Sequence, residues 1–392
     1  WQVTAQARRA DRLAAMGFTP LAFDLTDPRA QDPAFWAPHL PKGTALVWAA
    51  GLLTASEAQF AAVHRDAPKA ALAALGGQAL LISAVGIEAD TTFARWRRAT
   101  EAAFAGHCIL RPGLVMADTS YGGTSLLRAL AALPLRLPVV GTGAQPFNPI
   151  HAEDLARIAI DCLSRPDLAG TWDIGGPETL TQADLALRLR RWLGLADIPL
   201  LRLPLPLARA LGWLGDRLRL GPVSATAVGQ LQSGVLARPE PLLSHLATRP
   251  RPVSAFLSAR PAGTQDLWQA RLYLLKPAIR LVLALMWLVS AALGLFLPEP
   301  AFLPRLPAGW PPELLTALAR VGGLADLVLG LLLLRNWRPV TLAKAQLLLV
   351  AGYTLGLTLL APALWLDPFG GLLKNLPILA LLSVHLALAE ER

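Results

Sequence analysis

The sequence predicts an α/β domain built on a doubly wound parallel sheet, followed by an all-α bundle of four membrane-crossing helices. Three observations predict this. Residues 1–195 alternate short apolar runs with amphipathic stretches, as in a parallel sheet covered on both faces. From Pro277 the text changes to long apolar segments without polar faces. The 392-residue chain is 54% hydrophobic and 16% charged, where ordinary soluble domains carry about a quarter charged residues.

In chain order, "WQVTAQA", "TPLAFDL", "ALVWAAG", "QALLISAVG", "HCILRPGLVM" and "LPVV" read as strands. "RADRLAAMG", "ASEAQFAAVHRDAPKAALAALG" and "TTFARWRRATEAAF" read as helices between them. "AEDLARIAIDCLSR" is a helix with Glu153 and Asp154 at its positive end. "TLTQADLALRLRRWLG" is another, with Thr181 as N-cap and Asp184 completing a capping box. Residues 196–270 are punctuated by proline and arginine and read as an amphipathic extension and linker.

The third region, 271–392, holds four apolar runs at about 277–297, 313–334, 342–365 and 372–389. Each reaches about 20 residues, enough at a 1.5 Å rise for a hydrocarbon core of about 30 Å. Trp287, Trp310, Trp337 and Trp365 are expected as interface anchors. Arg271, Lys276 and Arg280 open the first run, and Arg335, Arg338 and Lys344 flank the loop between the second and third. The other loops carry Arg305 and Lys374 alongside Glu299, Glu313 and Asp367. This bias places the N-terminal domain and the C-terminus in the cytoplasm.

The net charge is +9, but the arginines are scattered among Ala and Leu. An anionic membrane or a phosphate-bearing cofactor suits that pattern, and no nucleic-acid partner is expected. Cys108 and Cys162 lack a CxxC spacing, so no metal site is expected; they read as reduced buried thiols. No basic-then-apolar leader with a small-residue cleavage site stands near Trp1.

The candidate site residues lie at strand ends. Arg8 and Arg9 follow the first run; arginine there favours a 2′-phosphate. Asp24 and Leu25 follow the second. Ala49, Ala50 and Gly51 end the third, where small residues admit close backbone approach. Ser83 ends the fourth, and Arg111, Pro112 and Gly113 end the fifth. "GTGAQP" at Gly141 reads as a hairpin turn, since it does not lead directly into a helix.

Taken together, "DLTDP", "AAG", "SAVG", "ILRPG", "NPIHAEDLARIAI" and "DIGGPETLT" make residues 1–195 resemble the extended or atypical short-chain dehydrogenase/reductase superfamily. The resemblance implies a Rossmann-like domain. It implies a dinucleotide site lined by Arg8, Arg9, Asp24, Leu25, Ala49, Ala50, Gly51, Ser83, Arg97, Pro112 and Gly113, with NADP favoured over NAD. The superfamily's first strand and glycine-rich loop are missing, and the chain opens where the second strand is expected. The expectation is that the natural N-terminus extends further. The superfamily's catalytic Tyr and Lys correspond to Phe93 and Arg97. Phe93 has no proton to give, while Arg97 stays charged and can hold a ribose or phosphate. Ser83 and Tyr121, in "DTSYGG", are the remaining candidate catalytic residues.

"LLKP", "MWLVSA", "LWLDPFG" and "LLKNLPI" make residues 268–392 resemble the DoxX-like family of four-helix membrane domains. Within it, Asp326 is costly in a bilayer and is expected either to pair with Arg320, Lys344 or Lys374 or to serve a proton or quinone site. Arg280 is expected to snorkel and His385 to pack between helices.

Two functions stay open. One is a membrane-anchored NAD(P)-binding oxidoreductase of the bacterial inner membrane, acting on a quinone or another lipid-soluble substrate. The other is a non-catalytic nucleotide-binding scaffold or redox sensor on a membrane complex. A transporter reading is disfavoured by the few intramembrane charges.

Overall fold

The computed structural model describes all residues except 1, 54, 89, 121, 221–222, 234, 304–308, 310, 369 and 391–392. The chain divides into two units, residues 1–212 with 225–263, and residues 213–224 with 264–392.

In the first unit the expected strands form. They are β1 (Thr4–Ala7), β2 (Thr19–Ala22), β3 (Leu46–Trp48), β4 (Ala79–Ile82) and β5 (Cys108–Pro112). Seven more follow: β6 (Val115–Met116), β7 (Leu137–Val140), β8 (Pro146–Phe147), β9 (Ile150–His151), β10 (Gly170–Ile174), β11 (Leu180–Thr181) and β12 (Leu200–Leu203). A four-stranded parallel sheet runs β10-β5-β4-β3, and β1 and β2 pair in parallel as a sheet of their own. This is the Rossmann-like architecture predicted from the alternating pattern.

Both faces of the four-stranded sheet are buried, because side chains alternate along a strand. Leu81 and Ile109 enter a core with Trp36, Trp48, Val63 and Phe104. Their neighbours Leu80 and Leu110 enter the opposite core with Ile158, Ile174 and Leu242. Leu80 and Leu81 are fully buried, each worth about 1.5–3 kcal/mol of hydrophobic stabilisation. Cys108 and Cys162 are free thiols within the second core, as expected.

Helix starts follow local chemistry. Thr91 caps Thr92–Ala103 through Ala94 N. Thr181 and Asp184 form the expected capping box at Gln182–Trp192. The helical stretch after β3 is Glu57–Ala61, a π-turn at Ala62–Asp66, and Ala67–Ala74. Pro68 has no N–H to bond back to the His64 carbonyl, which favours the wider turn.

Two expectations change. The "GTGAQP" segment turns at Gly141 and Gly143 but makes no hairpin, because β8 pairs with β11 and β7 with β12. Residues 196–270, read as an irregular extension and linker, carry β12 and the helices Leu205–Arg217, Ala225–Ser233, Glu240–Leu243 and Val253–Ala259. Val253 and Phe256 join a third core with Leu127, Leu137, Leu185 and Leu189. Burial of those apolar residues overrides the proline punctuation.

In the second unit, Thr264–Phe296, Pro312–Leu334, Pro339–Leu360 and Leu372–Ala389 are long and apolar enough to cross a membrane. The first begins well before Pro277, which the helix carries inside it. Gly294 and Gly323 let two helices touch. A Cβ on Gly294 would fall 2.8 Å from the Gly323 Cα. Trp287 is not an interface anchor; it is 4% exposed, in a core with Leu283, Leu333 and Leu382. Trp310 lies outside the described residues. Arg280 does not snorkel either. It is buried and donates to the Leu218 carbonyl and to the Arg219 carbonyl. His385 is buried, as expected of a packing residue.

Candidate functional site

The strand ends of the four-stranded sheet gather a charged cluster around the helix Thr92–Ala103. Thr91 fixes its start, and three-to-four spacing sets Phe93, Arg97, Thr100 and Glu101 along its inner side. Arg97 is buried, with its guanidinium 5.7 Å from the centroid of the Phe93 ring. Its Nη1 donates to the Ala50 carbonyl at 3.3 Å. Burial lowers the Arg97 pKa from its usual value, and Glu101 opposes that shift.

Gly51 makes room for this guanidinium. A Cβ there would fall 2.4 Å from Arg97 Nη2. Ala49 and Gly51 are exposed and Ala50 is half-buried. The end of β3 is therefore a small-residue backbone edge with a cation against it.

Ser83, buried just beyond β4, donates to Glu101 Oε1 at 2.6 Å. Arg111 clamps the same carboxylate with Nε at 2.8 Å and Nη2 at 2.6 Å. Its Nη1 reaches the exposed Glu88 at 3.3 Å. Glu101 hydrogen bonding raises the Arg111 pKa. Pro112 is buried and accepts from Val85 N at 3.1 Å, while Gly113 N donates to the Ile174 carbonyl at 2.9 Å.

His64 lies under the loop after β3 and is fully buried. Leu52 N donates to Nε2 at 2.9 Å. Nδ1 faces Thr100 Oγ1 at 3.0 Å, and that hydroxyl donates to the Trp96 carbonyl at 3.2 Å. The pattern assigns the neutral tautomer with hydrogen on Nδ1. Burial first and Arg97 second push the His64 pKa down to about 4.

The other candidates sit on the β1–β2 sheet. Arg8 and Arg9 are exposed at the end of β1. Asp24 is exposed after β2, and its Oδ1 accepts from Thr26 N at 2.9 Å and Thr26 Oγ1 at 2.8 Å. Those bonds hold its carboxyl below the usual range, with Arg8 adding to the effect against desolvation. Leu25 is buried among Trp36, Val63 and Ala67, so its side chain serves the core. Tyr121 lies outside the described residues.

The structure thus brings Ala50, Gly51, Ser83, Phe93, Arg97 and Arg111 into one connected cluster. Sequence reasoning missed His64 and Glu88. A single His inside an alanine-rich helix and a glutamate in a loop carry no local signal. In the second unit, Asp326 accepts from Ser290 Oγ at 2.6 Å. Arg320, one of its expected partners, donates to the Gly294 and Leu297 carbonyls at 2.8 and 3.0 Å.

Residues 284–383 match the DoxX-like family model. No curated protein matches the chain. Among solved structures, the chain is similar to the Citrobacter sp. triphenylmethane reductase complexed with NADP(H), at 16% identity over 66% of this chain and 90% of that one, TM-score 0.48. It is similar to a Bacillus cereus UDP-N-acetylglucosamine 4-epimerase at 15% identity, over 51% and 76%, TM-score 0.40. A Bacillus cereus UDP-glucuronic acid 4-epimerase in complex with NAD matches at 14% identity, over 50% and 73%, TM-score 0.40.

Proposed function

We propose that this chain is a membrane-anchored NAD(P)-binding oxidoreductase acting on a quinone or another lipid-soluble acceptor. The observation that carries it is the end of β3, where Ala49, Ala50 and Gly51 form a small-residue edge and the buried Arg97 cation packs into the space beside Gly51. A bound nicotinamide dinucleotide would supply the hydride. Ala49, Ala50 and Gly51 admit its close approach, Arg97 offers charge to a ribose or phosphate, and Arg8 and Arg9 suit a 2′-phosphate, which favours NADP. Asp24, held ionised, can accept from an adenine amino group.

Phe93 offers no proton, and the Ser83 hydroxyl is given to Glu101. The site therefore suits an electron-poor ring that accepts hydride with little help from a general acid. The four apolar helices support a membrane anchor, which suits a lipid-soluble substrate. The bacterial inner membrane is the setting the DoxX-like resemblance implies, and the loop charges favour an orientation with the N-terminal unit and C-terminus in the cytoplasm.

Phe93 and Arg97 favour a second reading, a nucleotide-binding scaffold or redox sensor on a membrane complex. Fluorescence titration of the full chain in detergent with NADPH and NADH tests both. NADPH binding weakened about tenfold or more by Arg8→Glu supports a dinucleotide site, since one tenfold step is about 1.4 kcal/mol. Consumption of bound NADPH with membrane quinones selects the oxidoreductase, and binding without turnover selects the scaffold. No binding of either nucleotide removes both.

A further inference from the structure

We propose that the helix Leu205–Arg217 is a membrane-surface helix that lays its leucine face into the edge of a lipid bilayer. The proposal rests on the reading of the four apolar helices as membrane spans, and adds to them a peripheral lipid contact. It does not depend on dinucleotide binding at the strand ends.

The helix is turned inside out for one surrounded by water. Its buried positions are the small residues Ala208, Gly212 and Gly215. Its large apolar residues Leu207, Leu211 and Leu214 are exposed, and three-to-four spacing puts them on one face. Ala210 is exposed beside them. At 3.6 residues per turn, Arg209 and Asp216 fall on the side opposite the leucines. Single surface leucines are ordinary, but a stripe of three over two turns, backed by a polar side, is a contact surface.

The last turn of the helix and the segment after it belong to the second unit. Arg219, at φ 52°, ends the helix, and Leu220 N donates back to the Gly215 carbonyl at 2.8 Å. Arg280 donates to the Leu218 and Arg219 carbonyls. Arg219 Nη1 donates to the Arg335 carbonyl at 3.1 Å. Arg280 lies near the start of the first apolar run, and Arg335 is the C-cap of Pro312–Leu334. These bonds tie the helix end to the end of the bundle that carries Arg335 and Arg338.

Two tryptophans mark that level. Trp213 is exposed, and the Arg217 guanidinium lies 5.6 Å from its ring centroid. Trp337, exposed just after the second apolar helix, has Arg338 at 5.1 Å in the same way. A tryptophan with an arginine beside it suits the headgroup layer, where the ring sits at the boundary and the guanidinium stays with water and phosphate. A protein partner would cover leucines equally well. The tie to the bundle end and the paired tryptophans point instead to lipid.

The test is the collision accessibility of nitroxide labels on the full chain in phospholipid nanodiscs. Leu207→Cys, Leu211→Cys and Leu214→Cys place labels on the leucine face, and Arg209→Cys places one on the opposite side. Leu293→Cys labels an exposed position of the first apolar helix. Wild type, whose Cys108 and Cys162 are buried, measures the background. The leucine-face labels should collide with oxygen rather than with a water-soluble nickel reagent, at a depth of about 5–10 Å inside the headgroup boundary. The Arg209→Cys label should show the reverse preference. Three positions on one face keep the comparison if one variant does not fold. Nickel access on the leucine face equal to that at Arg209→Cys, with Leu293→Cys immersed, overturns this proposal alone. Shielding of that face from both reagents means that protein covers it, and overturns the proposal too. Nickel access at Leu293→Cys removes the reading of the apolar helices as spans, and this proposal with it.

Discussion

Acid should loosen the loop after β3 through one residue, His64. Its pKa falls to about 4 in the folded chain from an ordinary 6.5. The unfolded chain therefore binds the extra proton between those values, and stability is lost as pH falls through that window. At about 1.4 kcal/mol per pH unit, the neutral imidazole contributes on the order of 3 kcal/mol near pH 7. Protonation also removes the acceptor for Leu52 N. His64→Leu removes the titration but orphans that N–H, at about 1–3 kcal/mol. The variant should be less stable than wild type at pH 7, and the gap should close towards pH 4. Denaturant unfolding of both chains in detergent gives the two curves, and hydrogen exchange at the Leu52 amide reports the local event. Carboxylates titrate in both proteins and cancel in the difference. Parallel curves from pH 7 to 4 would refute the assignment of a neutral, hydrogen-bonded His64.

Further predictions follow from buried contacts. Asp154 is fully buried, and Arg251 Nε contacts both its oxygens at 3.0 Å. Burial would raise its pKa, but the Arg251 bonds overcome this and hold it below the usual 3.8. Its contribution is present above that value and lost as pH falls through the folded pKa. Asp154→Asn should cost about 3 kcal/mol at neutral pH by denaturant unfolding. Gly294→Val should lower the thermal midpoint in detergent, with about 1–3 kcal/mol of overpacking against Gly323. Ser83→Ala should cost about 1–2 kcal/mol through the lost bond to Glu101 and leave NADPH affinity unchanged. A tenfold loss of affinity there would place the hydroxyl on the nucleotide instead.

The elements were legible in the sequence because their causes are local. "QALLISAVG" is a short apolar run that reads as a buried strand at that length, and it became β4 with both faces covered. Thr181 and Asp184 carry their cap within one turn. The four apolar runs announce themselves by composition alone. Strand-end positions such as Gly51 and Ser83 followed from the same alternation.

Only the tertiary structure decided which partners those residues meet. In the sequence, Arg97, Arg111, Arg128 and Arg251 are interchangeable members of a scattered basic set. In the fold, one lies on Phe93 and the Ala50 carbonyl, one clamps Glu101, one rests on Trp192, and one holds Asp154. Trp287 and Arg280 sit in an apolar text that points to lipid or interface, yet packing buries both. Periodicity and capping act over a few residues, so the chain states them directly. Pairing of charges and burial of polar groups act between residues tens of positions apart, and their sign depends on a neighbour that only folding supplies.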